Sequence, residues 1–207
     1  MGNQPFIKSL SRAVPISQEN IDTDQIIPAR FLKATNREGF GKNLFCDWRY
    51  HEDGTEKPDF VLNQKKYSGE ILIAGNNFGC GSSREHAAWA LYDYGFRVVF
   101  SSYFADIFKS NALNNSILPI QVSADLLSFI FQKVEENPAL VFEVDLEKEI
   151  WGIPSLGIEK KFEISSYKRT CILHGYDDLD YVLSHQKEIL EFENRRFSEK
   201  KYTRNTR

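Results

Sequence analysis

The sequence predicts an α/β fold in which a parallel sheet comes first and antiparallel strands follow it. Three observations carry this reading. Apolar runs at 70–74, 97–101 and 117–122 are the right length for short buried strands. Helical segments at Ser82–Tyr94 and Tyr103–Asn111 separate them, and a strand–helix–strand order demands crossovers, which make parallel neighbours. Leu140–Ile153 and Lys161–Ile164 have no helix between them and therefore read as antiparallel strands. With 207 residues, 42% of them hydrophobic, the chain can bury one sizeable core, so a single domain is expected. Sixteen Phe and nine Tyr against one Met predict a firm aromatic interior.

In chain order, residues 5–20 read as an entry strand and turn. Asn20-Ile-Asp-Thr-Asp-Gln-Ile-Ile-Pro28 is an acidic turn running into an extended piece. Asp22 and Asp24 fit a turn pinned by side-chain-to-backbone bonds, since the other ligands of a calcium loop are missing. The glycines of Asn36-Arg-Glu-Gly-Phe-Gly41 predict a mobile connection. Residues 36–69 then form a long polar and aromatic loop, too short and too polar to bury a core of its own. Asp125–Glu136 is amphipathic, with Leu126, Leu127, Ile130 and Val134 on one stripe. Turns are expected around 152–154 and at Gly157, and a last helix begins near Asp178 and carries Leu179, Val182, Leu183 and Leu190.

The centre of the chain is the corner GNNFGCGSSREHAAWAL, Gly75 to Leu91. Gly75, Gly79 and Gly81 mark places where the backbone turns sharply or something approaches closely. Ser82, Ser83 and Arg84 sit where the helix opens, and unpaired N–H groups there attract an anion. The simplest reading of Ser82 with Glu85 is a capping box. The corner lacks the last glycine of G-x-G-x-x-G, has no Gly-Lys-Ser/Thr, and has no G-x-S-x-G elbow. The residues alone therefore say small-anion site and name no reaction.

The net charge of −3 argues against nucleic acid as a general partner. It is unevenly spread: residues 194–207 carry +5, leaving −8 for the rest, and such a basic end is expected to be a disordered tail. No apolar run approaches a membrane span, and Met1-Gly-Asn-Gln-Pro-Phe6 has no signal-peptide character, so a cytoplasmic protein is expected. Cys46, Cys80 and Cys171 are far apart and include no C-x-x-C, so no local ligand set for zinc or an iron–sulfur cluster is expected. Cys80 between two glycines reads as a small residue in a tight turn. The four histidines show no H-x-x-x-H spacing.

Asn77-Phe-Gly-Cys-Gly-Ser-Ser-Arg-Glu-His-Ala87 resembles the signature of the swivelling domain of the aconitase superfamily. More closely, the chain is similar to the small subunits of bacterial isopropylmalate isomerases, also called 3-isopropylmalate dehydratases. Asp22–Pro28, Trp48-Arg-Tyr50, Pro58–Asn63, Ser102–Asn115 and Leu118-Pro119 agree in order, and the likeness covers roughly residues 5–193. It implies a swivelling β/β/α domain over residues 1–193, with a parallel central sheet and a second, antiparallel sheet. It also implies a two-chain hydro-lyase of leucine biosynthesis that interconverts 2- and 3-isopropylmalate. The cofactor, a 4Fe-4S cluster, would lie on the large partner subunit, with none bound by this chain.

By position, the resemblance makes Ser82 the catalytic base and Ser83 and Arg84 the holders of a substrate carboxylate. Either Ser82 then gives up its capping bond, or Ser83 is the cap. Arg37 is the positional match for a further substrate arginine, with Arg30 as its competitor; for either, the plain alternative is a surface arginine paired with a carboxylate. Two other functions stay open: the same chemistry on a citramalate- or homoaconitate-type diacid, and a non-catalytic small-anion module.

Overall fold

The computed structural model describes residues 4–33 and 36–204, with side chains through Arg196. The expectations for Met1–Asn3 and for the last three residues lie outside that range. Four parallel strands are present: β1 (Lys8–Ile16), β2 (Ile71–Ala74), β3 (Val98–Ser101) and β4 (Leu118–Gln121). Three antiparallel strands follow: β5 (Val141–Asp145), β6 (Ile150–Ile153) and β7 (Ile158–Lys161). The two expected sheets share a strand. β1 pairs parallel with β2 on one side and antiparallel with β5 on the other, giving one seven-stranded sheet in the order β4-β3-β2-β1-β5-β6-β7.

Period-2 alternation along buried strands supplies two cores, one on each face. In β2, Leu72 and Ala74 face one cluster and Ile71 and Ile73 the other, all of them fully buried. The first face is covered by the crossover helices α3 (Glu85–Tyr94) and α4 (Asp106–Asn114). The second is covered by α5 (Ala124–Glu136), by β5–β7 and by α6 (Ser166–His174). Burying four aliphatic strand residues stabilises the fold by roughly 1.5–3 kcal/mol for each large one, which is why such short strands persist.

The loop at 36–69 has no core of its own, yet it completes one. Phe40, Leu44 and Phe45 are buried in the α3-side cluster, with Phe60 and Trp48, the latter in the one-turn helix α2 (Cys46–Arg49), packed against it. Of the two glycines at the start of the loop, Gly41 has a packing reason while Gly39 has open space around it. A Cβ on Gly41 would lie 2.4 Å from the Tyr94 backbone nitrogen, so this glycine permits close packing on α3. Gly41 N–H also donates to Asp93 at 2.7 Å. Arg49, only 7% exposed, lies over the Tyr94 ring, and Asn63 Nδ2 donates to the Arg49 and Lys57 carbonyls.

Four other boundaries move. The expected turn is present at Pro154–Leu156 and closes on Gly157 at a φ of +65°, but an unexpected second turn at 146–149 splits Leu140–Ile153 into β5 and β6, and Gly152 is inside β6, where a Cβ would meet the Ile158 carbonyl at 2.4 Å. The final strand is Ile158–Lys161 rather than Lys161–Ile164. The last helix is two, α7 (Asp178–Ser184) and α8 (Gln186–Arg204), broken at His185. Backbone expected as a disordered tail continues α8 through Arg204. Leu179, Val182, Leu183 and Leu190 are exposed on these two helices.

Candidate active site

Three chain segments leave the same edge of the parallel sheet and meet there: 17–23 after β1, 75–84 after β2 and 102–106 after β3. The carboxyl ends of parallel strands are where open α/β sheets place their ligands. The middle segment is held from both sides. Gly79 N–H donates to the Ile21 carbonyl at 2.8 Å and Thr23 N–H to the Cys80 carbonyl at 3.0 Å. On the other flank, Phe78 N–H donates to the Tyr103 carbonyl, and Ala105 N–H donates back to Phe78 at 3.1 Å. Gly79 and Gly81 have φ of +76° and +85°, as the expected turn requires.

This clamping overturns the capping box. Helix α3 begins at Glu85 with Arg84 at the cap position, and no side chain caps it. Neither Ser82 nor Ser83 is the cap. Thr23 Oγ1 donates to the Ser82 carbonyl at 2.8 Å, which keeps the segment ahead of the helix out of helical geometry. Both serines are exposed, and among the described residues neither hydroxyl has a hydrogen-bond partner. The capping box exists elsewhere: Asp22 accepts from Gln25 N–H while the Gln25 side chain accepts from Asp22 N–H. That pair opens the four-residue helix α1 (Thr23–Ile26).

Ser82, Ser83 and Arg84 border one cavity of about 250 Å³, together with Thr23, Gly79 and Gly81 and with Ala105, Asp106, Ile107 and Phe108 at the start of α4. The lining therefore joins two hydroxyls and a guanidinium at the opening of α3 to a mostly apolar stretch that carries one carboxylate, Asp106. Arg84 is paired with both oxygens of Asp24 through its two Nη atoms, and Nη1 also reaches the Ile27 carbonyl at 3.4 Å. Arg84 holds the Asp24 carboxyl below the usual carboxylate range, and Asp24 raises Arg84 in turn. Sequence reading took Asp24 for a turn residue; a carboxylate two places from the capping Asp22, facing an arginine sixty positions on, leaves no local signal.

The other two arginines are not brought to this cavity. Arg37 lies 3.5 Å from Glu85 Oε1 and over the Trp89 ring, bordering a separate hollow of about 310 Å³ with Lys168 and Asp178. Arg30 is paired with Asp47 beside a third hollow of about 920 Å³ along the loop. Each has the carboxylate partner of the plain alternative. Cys80 is half-exposed with Sγ 3.4 Å from the Asn20 carbonyl, and burial pushes its thiol up, away from thiolate chemistry. Among the described residues no three His, Cys, Asp or Glu side chains gather as metal ligands, so they offer no cradle for a cluster. No helix among them is long and apolar enough to cross a membrane.

The aconitase C-terminal domain family matches residues 3–125. A 3-isopropylmalate dehydratase small subunit from Cytophaga hutchinsonii is 58% identical over 190 residues, covering 92% of this chain and 94% of the relative. One from Christiangramia forsetii is 56% identical over 193 residues, covering 93% and 94%. The crystal structure of a 3-isopropylmalate dehydratase from Methanocaldococcus jannaschii superposes with a TM-score of 0.64 at 29% identity, covering 90% of this chain and 99% of that one. The chain belongs to the 3-isopropylmalate dehydratase small-subunit family, within the proteins built on the aconitase C-terminal domain.

Proposed function

We propose that the chain is the small subunit of a two-chain, cytoplasmic hydro-lyase that interconverts 2-isopropylmalate and 3-isopropylmalate by removing water and adding it back. One observation carries the reading: in a chain of this family, two exposed hydroxyls with no hydrogen-bond partner among the described residues share a cavity with a guanidinium at the opening of α3.

Ser82 Oγ takes the proton from the carbon beside a carboxylate, the C–H electron pair becomes the double bond, and hydroxide leaves the neighbouring carbon. Rehydration with the two carbons exchanging roles gives the isomer. A serine is a weak base in water, so its oxyanion needs help. The free N–H groups and partial positive charge of the α3 N-terminus, together with Arg84, supply it. Ser83 donates to the substrate carboxylate, and the planar guanidinium of Arg84 suits it as a two-point partner. Help for the departing hydroxide belongs to the partner chain, a large subunit carrying a 4Fe-4S cluster that acts as a Lewis acid.

The test is reconstitution. The isolated chain is expected to be inactive, and mixing it with a cluster-bearing large subunit to restore hydration of the unsaturated diacid. Ser82→Ala should lower kcat by about 10²–10⁴-fold while the complex still assembles on gel filtration. Full activity of that variant would remove the role given to Ser82. Comparing kcat/KM for isopropylmalate, citramalate and homoaconitate identifies the diacid.

A further inference from the structure

We propose that Asp24 is the positioning residue for Arg84, fixing the guanidinium from behind so that its remaining N–H edge meets the substrate carboxylate. The inference rests on the function proposed above and adds to it a residue outside the cavity.

Two placements of the Asp24 carboxylate are conceivable: in front of Arg84, where it would compete with an incoming diacid, or behind it. Arg84 borders the cavity with Ser82 and Ser83, whereas Asp24 does not. The carboxylate therefore grips the guanidinium from outside the ligand space. The Arg84 side chain is 11% exposed and is also tied to the Ile27 carbonyl, so it is locked in place rather than free to swing. Both oxygens of Asp24 are used, one on each Nη, which fixes the plane of the guanidinium as well as its position. Five donors radiate from that plane: Nη1 is committed to Asp24 and Ile27, and one N–H of Nη2 to Asp24. The Nε–H and the second N–H of Nη2 make no hydrogen bond among the described residues and form the adjacent pair that remains for a carboxylate.

Helix α1 makes this arrangement stiff. Asp24 is its second residue, directly after Thr23, whose hydroxyl holds the Ser82 carbonyl. The capping box at Asp22 and Gln25 fixes the start of the same turn. One short turn thus holds the proposed base through Thr23 and the proposed carboxylate clamp through Asp24. An error of an ångström in either would misplace the reacting carbon.

Asp24→Asn, Asp24→Glu and Arg84→Ala are made in the reconstituted complex, with the double variant Asp24→Asn/Arg84→Ala. Loss of a charged, two-point hold should raise KM for isopropylmalate about tenfold or more in Asp24→Asn, with kcat changed less. Asp24→Glu should recover part of that loss. In the Arg84→Ala background, Asp24→Asn should cost nothing further, because its effect runs through Arg84. A KM within twofold of wild type in Asp24→Asn, or an undiminished second loss in the double variant, overturns the proposal.

A second measurement needs no turnover. In the isolated chain, the carboxyl carbon of Asp24 is titrated by NMR; it should titrate below the usual carboxylate range and return to that range in Arg84→Ala. Titration at the ordinary value in wild type also overturns the proposal. A wild-type complex that leaves isopropylmalate untouched while Asp24 titrates low would sink the functional reading and leave the Asp24–Arg84 hold standing.

Discussion

Gly79 and Gly81 look alike in the sequence and differ in what surrounds them. A Cβ on Gly79 would fall 2.2 Å from the Phe108 ring, at a φ of +76°. At Gly81 the nearest atom, Asp22 Cβ, is 3.4 Å away, at a φ of +85°. Gly79→Ala therefore adds overpacking, about 1–3 kcal/mol, to the left-handed backbone cost of about 1–2 kcal/mol, whereas Gly81→Ala carries the backbone cost alone. Urea unfolding should separate them, with the midpoint of Gly79→Ala the lower; equal midpoints would mean that Phe108 yields without cost. The sequence made both positions recognisable as glycine sites because a backbone need leaves glycine. It could not rank them, since Phe108 comes from α4. The same limit hid Asp24, whose partner Arg84 is far along the chain, while Ser82, Ser83 and Arg84 were legible as three adjacent polar residues at a strand–helix corner.

At the scale of elements, the parallel strands β2 to β4 were readable, as were the starts of α5 and α7, while the start of α3 and the bounds of the antiparallel strands were not. Period and length mark β2, β3 and β4, because their apolar residues are buried on both faces, with only the terminal Ser101 and Gln121 polar. The start of α3 was misjudged for a physical reason: Ser82 and Glu85 have capping-box spacing, but tertiary hydrogen bonds from Thr23 and the 103–105 segment override the local preference. Boxes do form at α1, too short a helix to show any period, and at α7, where Asp177 and Asp180 cap each other. Asp22→Ala should cost about 1 kcal/mol of stability. It should also reduce kcat/KM of the complex at temperatures where the variant is fully folded, because α1 carries both Thr23 and Asp24. Unaltered kinetics alongside the stability loss would show that α1 supports the fold without aligning the site.

For the molecule as a whole, acid sensitivity follows from where the carboxylates are tied. Asp24 is held low by Arg84, Asp47 by Arg30, and Asp178 by hydrogen bonds from Tyr167 and Lys168. These pairs join segments that the sheet alone leaves loosely connected: the α1 turn to the α3 start, one part of the loop to another, and α6 to α7. For each, the folded state binds its proton more weakly than the unfolded chain, whose aspartates titrate near 3.9. The stabilisation is thus fully present above that value and is lost as pH falls through the lowered folded-state values. The three carboxylates are largely exposed, so salt weakens each contribution. The difference in urea midpoint between wild type and Asp24→Asn should therefore be constant from about pH 5.5 upward. It should shrink as the solution is acidified below about pH 4, and it should be smaller at high salt throughout. A gap that widened on acidification would reverse the sign of the linkage, and would mean that Asp24 is carried in the folded chain as a strained, destabilising charge rather than as the anchor of Arg84.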